Sequence, residues 1–212
     1  MEIAVVIPAY NEENNICYVL EPVMKCKEIS QVIVVSDGST DRTAEVAREM
    51  GAEVITLPSN RGKGAAVMAG VQASTAEVIL LLDADLMGLT PHHISDLISP
   101  IINQDAIMTI GFFTAGRIST DLSQQVTPFL NGQRAVRREL FESLPNLDHT
   151  KYGIEVVLSR FARVHQCKVV WVNLPNLSQV MKEEKMGFYR GFIARLRMYW
   201  QIIKVLVSTK IS

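Results

Sequence analysis

Four short apolar runs punctuate the first half of the chain, at residues 3–7, 31–35, 53–57 and 78–82. Two of them, Val32-Ile33-Val34-Val35 and Val78-Ile79-Leu80-Leu81-Leu82, are continuous rather than alternating, as expected of strands covered on both faces of a parallel sheet. Helical spacing fills the intervals. Ile16, Leu20 and Val23 make one stripe, interrupted by Pro22; Val46, Ala47 and Met50 make a second, ended by Gly51; Ala65, Ala66, Ala69 and Ala73 make a third. Strand alternating with helix predicts crossover units and an α/β fold with a mostly parallel central sheet flanked by helices. Farther on, Thr90-Pro91 opens a helix carrying Ile94, Leu97, Ile98 and Ile101, and a strand fits residues 106–110. From 111 to about 148 the periodicity blurs, leaving a basic cluster at Arg134, Arg137 and Arg138 that reads either as a binding surface or as a solvated face. Ile154, Val157, Leu158 and Phe161 restore a helix, residues 167–172 a last strand, and a final helix follows Lys182-Glu183-Glu184-Lys185.

Composition narrows the classes. The chain has 212 residues, 48% of them hydrophobic, which suits one sizeable core, and no linker-like stretch divides it, so a single domain over 1–212 is expected. With 21 Lys+Arg against 22 Asp+Glu the net charge is -1, and no global field recruits nucleic acid. Cys17, Cys26 and Cys167 are odd in number and scattered, which points to a reduced, cytoplasmic chain rather than a disulfide framework or a metal knuckle. No basic leader precedes the first apolar run, and no window reaches the ~18 uncharged apolar residues of a spanning helix. The four histidines, His92, His93, His149 and His165, lack metal-ligand spacing and read as surface or cap residues.

The candidate chemistry lies where strands end. Asp83-Ala84-Asp85 follows the most hydrophobic strand, so two carboxylates arrive at the C-terminal edge of a parallel sheet, where ligands bind. Such oxygen ligands suit Mg²⁺ or Mn²⁺, with a diphosphate supplying further ligands; the plainer alternative is a turn or helix cap. Asp37 ends the second run ahead of Gly38-Ser39-Thr40-Asp41-Arg42, and Pro8-Ala9-Tyr10-Asn11-Glu12 ends the first. Asn60-Arg61-Gly62-Lys63-Gly64 opens the third helix, with glycines that let a backbone approach closely and two cations that favour anions. The full P-loop spacing is missing, and so is a GxGxxG after the first strand, so neither ATP hydrolysis nor a dinucleotide fold is indicated.

In order and spacing these four segments together resemble the family 2 glycosyltransferases, over about the first 110 residues. The resemblance implies the GT-A fold and a nucleotide-diphospho-sugar donor, a UDP-sugar favoured, bound by the 1–110 half. It places Pro8, Ala9, Glu12 and Asp37 on the nucleoside, Lys63 near the base or diphosphate, and Asp83 and Asp85 on ribose, diphosphate and metal. The second half is similar to glucosyl-3-phosphoglycerate synthases through Gly116-Arg117-Ile118-Ser119, Asn131-Gly132-Gln133-Arg134-Ala135 and Tyr152-Gly153-Ile154-Glu155. That similarity makes residues 111–186 the acceptor side, with Arg117 and Ser119 at the phosphate of a phosphorylated or polyprenyl-phosphate acceptor and Glu155 catalytic beside the donor sugar. Those enzymes are retaining, and both stereochemical courses stay open for this chain. Where their pattern has a metal-ligating histidine after the last strand, this chain has Gln179, which stands with Asp85 as a candidate ligand of Mg²⁺ or Mn²⁺. Without the resemblance, Glu155 reads equally well as a solvent-facing helix residue in a local ion pair.

Two rivals remain at this level: a nucleotidyltransferase of the same fold, and a sugar-nucleotide-binding module without turnover. The final helix, 187–212, carries an apolar stripe of Phe188, Phe192, Leu196, Tyr199, Ile203 and Leu206 opposite Arg190, Arg197, Gln201 and Lys204. It reads as a helix packed on the domain or in a homodimer, or as one lying peripherally at the inner face of a membrane.

Overall fold

The computed structural model describes residues 1–114, 131–144 and 153–179. The sheet order is β3-β2-β1-β4-β7-β6-β8, built from β1 (Ile3–Ala9), β2 (Gln31–Asp37), β3 (Glu53–Leu57), β4 (Val78–Leu81), β6 (Met108–Thr114), β7 (Arg134–Arg137) and β8 (Val169–Pro175). A second, two-stranded antiparallel sheet joins β5 (Leu86–Met87) to β9 (Ser178–Gln179). All strand pairs of the large sheet are parallel except those of β7, which runs against both β4 and β6. The expected α/β fold with its mostly parallel sheet is thus present.

The helices are α1 (Ile16–Met24), α2 (Thr43–Glu49), α3 (Lys63–Gln72), α4 (Pro91–Asn103), α5 (Arg138–Glu142) and α6 (Ile154–Val164). The alternation of a β-strand divides β1 between two cores. Ile3, Val5 and Ile7 join Ile16, Leu20 and Val23 of α1 and Ile94, Leu97 and Ile98 of α4, while Ala4 and Val6 face Ala66, Val67 and Val71 of α3 and Leu158 of α6. Small residues on α3 let it lie close: a Cβ on Gly70 would stand 2.4 Å from a methyl of Val6.

Several boundaries differ from the sequence reading. Helix α1 runs through Pro22 to Met24, because the proline ring is buried in the apolar face and the carbonyl it leaves unpaired, four residues back, belongs to the half-exposed Tyr18. The strands expected at 106–110 and 167–172 lie at 108–114 and 169–175, moving together because each is the other's partner, from Met108 opposite Val169 to Thr114 opposite Pro175. The helix start at Thr90-Pro91 is as expected, the Thr90 hydroxyl accepting from the His93 amide at 3.3 Å. His93 itself is a correction: its ring is buried, and burial holds it below the usual histidine range against a hydrogen bond to the backbone of Pro175. Burial likewise pushes the Cys26 thiol up to about 11, with Glu28 adding to the effect.

The basic cluster is the larger correction. Arg134, Arg137 and Arg138 belong to β7 and the start of α5 and turn inward. Arg138 donates to the carbonyls of Ser74 and Ala76, both at 2.7 Å, just beyond α3; Arg137 donates to Ile101 at 3.0 Å near the end of α4 and to Ala106 at 3.1 Å. Arg137 at Ile101, and Arg138 at the Val71 carbonyl at 3.3 Å, satisfy carbonyls that a helix leaves unpaired at its C-terminus. Their role is to fasten helices, not to form a solvated face.

Candidate active site

The C-terminal ends of β1, β2, β3 and β4 deliver the four sequence segments to one edge of the sheet. The loops after β1 and β2 are stitched to one another. Asn11 accepts from the Thr40 amide at 2.8 Å and donates its own amide to Ser39 Oγ at 3.1 Å; Glu13 accepts from the Arg42 amide at 2.9 Å; the Glu12 amide donates to Thr43 Oγ1 at 2.8 Å. Gly38 takes a left-handed φ of +69°, and a Cβ there would stand 2.5 Å from the backbone N of Asn60, so the loop before α3 lies directly on it. That loop is held by Asp37, which is buried and accepts from the amides of Arg61 at 2.7 Å and Gly62 at 2.8 Å. The anion drawn to this helix start is therefore a side chain of the protein itself.

Asp83 stands at the centre. Its Oδ1 meets the ammonium of Lys63 at 2.5 Å, and its Oδ2 accepts from the side-chain amides of Gln133 at 2.9 Å and Gln179 at 2.5 Å. Lys63 also pairs with Glu155, which lies in the first turn of α6 and is 7% exposed. Gln133 reaches Asp83 because β7 runs antiparallel: Leu81 pairs with Arg134, so the residues leading into β7 arrive where β4 ends. The backbone at Gly132 comes so near that a Cβ would stand 2.5 Å from both Asp83 oxygens and 2.6 Å from Lys63 Nζ. Gln179 is placed by pairing with Leu86, next to Asp85, which is half-buried.

Burial works against the charge on Asp83, but Lys63, Gln133 and Gln179 outweigh it and hold the carboxyl below the usual aspartate range. Burial also opposes the charge on Lys63, and the Asp83 and Glu155 carboxylates overcome it, holding the ammonium above the usual lysine range. Both groups are ionised at neutral pH.

Of the residues singled out in the sequence, Lys63, Asp83, Glu155 and Gln179 are brought into contact, directly or through one another. Pro8, Ala9, Glu12 and Asp37 line the neighbouring strand ends, and Asp85 adjoins through the β5–β9 pairing. Arg117, Ser119, His149 and the final helix lie outside the described residues. Gly132, Gln133 and Arg134 lie in the segment that carries the likeness to glucosyl-3-phosphoglycerate synthases, but no role in the site was expected of them individually. Among the described residues no three His, Cys, Asp or Glu side chains gather closely enough to hold a metal ion, and no helix is long and apolar enough to cross a membrane.

Comparison with solved structures agrees with this architecture. Glucosyl-3-phosphoglycerate synthase from Mycobacterium tuberculosis, in a complex with Mn²⁺, UDP and glucosyl-3-phosphoglycerate, superposes with a TM-score of 0.78 at 27% identity, over 98% of this chain and 79% of that one. By sequence the same enzyme is 27% identical over 211 residues, covering 81% of this chain and 64% of the relative. An undecaprenyl-phosphate 4-deoxy-4-formamido-L-arabinose transferase of Serratia proteamaculans is 31% identical over 186 residues, covering 76% of this chain and 57% of the relative. The chain thus spans less than two thirds of the length of these curated relatives. The family model for glycosyl transferase family 2 matches residues 4–165, and with the strand-edge site and the GT-A likeness it establishes that the chain belongs to that family.

Proposed function

We propose that the chain transfers a hexose from a UDP-sugar to a phosphorylated or polyprenyl-phosphate acceptor, with Mg²⁺ or Mn²⁺ bound at the sheet edge. The observation that carries this reading is the charged cluster of Asp83, Lys63 and Glu155 at the end of β4, beside Asp85. Relatives solved with UDP and Mn²⁺ or Mg²⁺ support it. In this reading Pro8, Ala9, Glu12 and Asp37 bound the nucleoside pocket, with Asp37 also fixing the loop that presents Lys63.

The donor set fits a hard cation. Gln179 commits its amide N–H to Asp83, which leaves its carbonyl oxygen as the ligand atom, and the β5–β9 register sets it opposite Leu86, the residue after Asp85. A cation of this class binds through few protein oxygens when phosphates supply others. When bound, it neutralises charge developing on the leaving diphosphate. Lys63 contributes a second positive charge to the same end, and Asp83 with its two glutamine donors keeps that ammonium in place. Glu155 orients the sugar, its carboxylate being aimed at the cluster rather than at solvent.

Arg117 and Ser119 are assigned to the acceptor phosphate. The chain works in the cytoplasm, alone or as a homodimer, with at most a peripheral, salt-sensitive membrane contact through residues 187–212. Co-sedimentation with anionic and neutral liposomes checks that contact. The function itself is tested by isothermal calorimetry of UDP with and without Mn²⁺, together with turnover of labelled UDP-glucose against 3-phosphoglycerate and polyprenyl phosphate. Metal-dependent UDP binding with sugar transfer supports the reading, metal-dependent binding without transfer leaves a binding module, and no UDP binding overturns it.

A further inference from the structure

Behind the contact of Asp83, Lys63 and Glu155 lies a second cation. Arg134 is the largest side chain with no exposed surface among the described residues. Its Nε donates to the carbonyl of Asn131 at 2.8 Å, and its Nη1 donates to Ser159 Oγ at 2.7 Å and lies 3.7 Å from the sulfur of Met108. These partners matter for what their segments carry. Asn131 begins the stretch in which Gly132 presses on Asp83 and Gln133 donates to it. Ser159 lies four residues beyond Glu155 on α6, on the same face of the helix. One planar guanidinium thus joins the two elements that complete the site, a span that the single ammonium of a lysine would not reproduce.

The charges support the same assignment. A buried cation without compensation is costly, and removing one member of a buried set leaves another uncompensated. Here Asp83 from the end of β4 and Glu155 from α6 are balanced by Lys63 from α3 and Arg134 from β7. Burial pushes the Arg134 guanidinium down to about 10 while the Glu155 and Asp83 carboxylates oppose the shift, so it stays protonated at neutral pH. Lys63 is the more exposed of the two cations, with 29% of its side chain accessible, and is the one that a bound diphosphate can draw on. Arg134 then remains to compensate Glu155.

We propose that Arg134 is a positioning residue for Glu155: a buried bridge that holds α6 against the 131–133 segment and balances the charge of the site. Its turnover consequence rests on the function proposed above; its bridging and charge balance do not. At pH 7.5, Arg134→Met should lower Tm by roughly 10 °C, and adding Glu155→Gln should recover several degrees by removing the uncompensated carboxylate. Arg134→Lys should recover part of the loss. Purely additive losses in the double variant would overturn the proposal. In turnover of labelled UDP-glucose, Arg134→Lys and Ser159→Ala should each lower kcat about five- to tenfold with the donor KM within about twofold, the mark of misplacement rather than lost binding. If Arg134→Met does not fold, Arg134→Lys and Ser159→Ala decide: unchanged kcat in both overturns the proposal. A wild-type chain that binds UDP but turns over no donor would defeat the proposed function, and the Tm cycle would still settle Arg134.

Discussion

The two sides of the site satisfy their polar groups in opposite ways. On the side of β1, β2 and β3, loop backbone bonds to loop side chain in a closed set: Asn11 to Thr40, Glu13 to Arg42, Asp37 to Arg61 and Gly62. That side is a cradle whose shape is fixed before anything binds. On the side of β7 and α6, charged and amide groups are buried and converge on Asp83 and Lys63 from distant parts of the chain, Gln133, Glu155 and Gln179 among them. The cradle is set by short connections after parallel strands. The charged wall depends on a strand inserted against the direction of the sheet. The cradle is thus built between neighbouring parallel strands and the charged wall across the fold, and the two should fail differently when perturbed.

The largest effect is expected at their junction. Asp85→Ala should cut turnover by about a thousandfold and remove the Mn²⁺ dependence of UDP binding, because Gln179 alone cannot hold the cation against a diphosphate. Calorimetry that shows unchanged affinity and unchanged metal response would remove Asp85 from the metal site. Next, Gly38→Ala should break the cradle: its left-handed φ and a clash with the backbone of Asn60 together cost about 3 kcal/mol, seen as a drop in thermal midpoint. Glu155→Gln should break the wall in the opposite sense, with turnover falling about a hundredfold and the fold kept. A near-normal rate would return Glu155 to a structural role.

The pH dependence sharpens the contrast. Because Asp83 is held below its ordinary value, the stability it contributes is fully present above about pH 4 and is lost as the pH falls through the lowered value. Because Lys63 is held above its ordinary value, its contribution is fully present below about pH 10 and is lost only as the pH rises through the raised value. The pair should therefore add no slope to a plot of midpoint against pH between about 5 and 9. A loss beginning between pH 5 and 7 that Asp83→Asn abolishes would mean that Asp83 is not held as described. The smallest effect belongs to Gln179→His, which should tighten Mn²⁺ binding by about tenfold by exchanging an amide oxygen for imidazole. No change would remove residue 179 from the metal site.

Sequence by itself determined the parallel half. Continuous apolar runs such as 78–82 can only be covered on both faces, and the polar residues that follow each run are then carried to one edge. Asp37, Lys63 and Asp83 were legible for that reason, and Gln179 only through family resemblance. Tertiary structure alone decided the rest. Strand β7 is four residues long and reads Arg-Ala-Val-Arg: Ala135 and Val136 enter the two cores, but the flanking arginines, turned inward against Ser159 and the Ile101 carbonyl, mask the strand in the sequence. Gln133 meets Asp83 fifty positions away only because that strand runs antiparallel beside β4. Local spacing records which face a residue takes along its own element, while a charge buried by distant partners leaves no periodic trace, which is why Arg134 read as surface and is wholly buried.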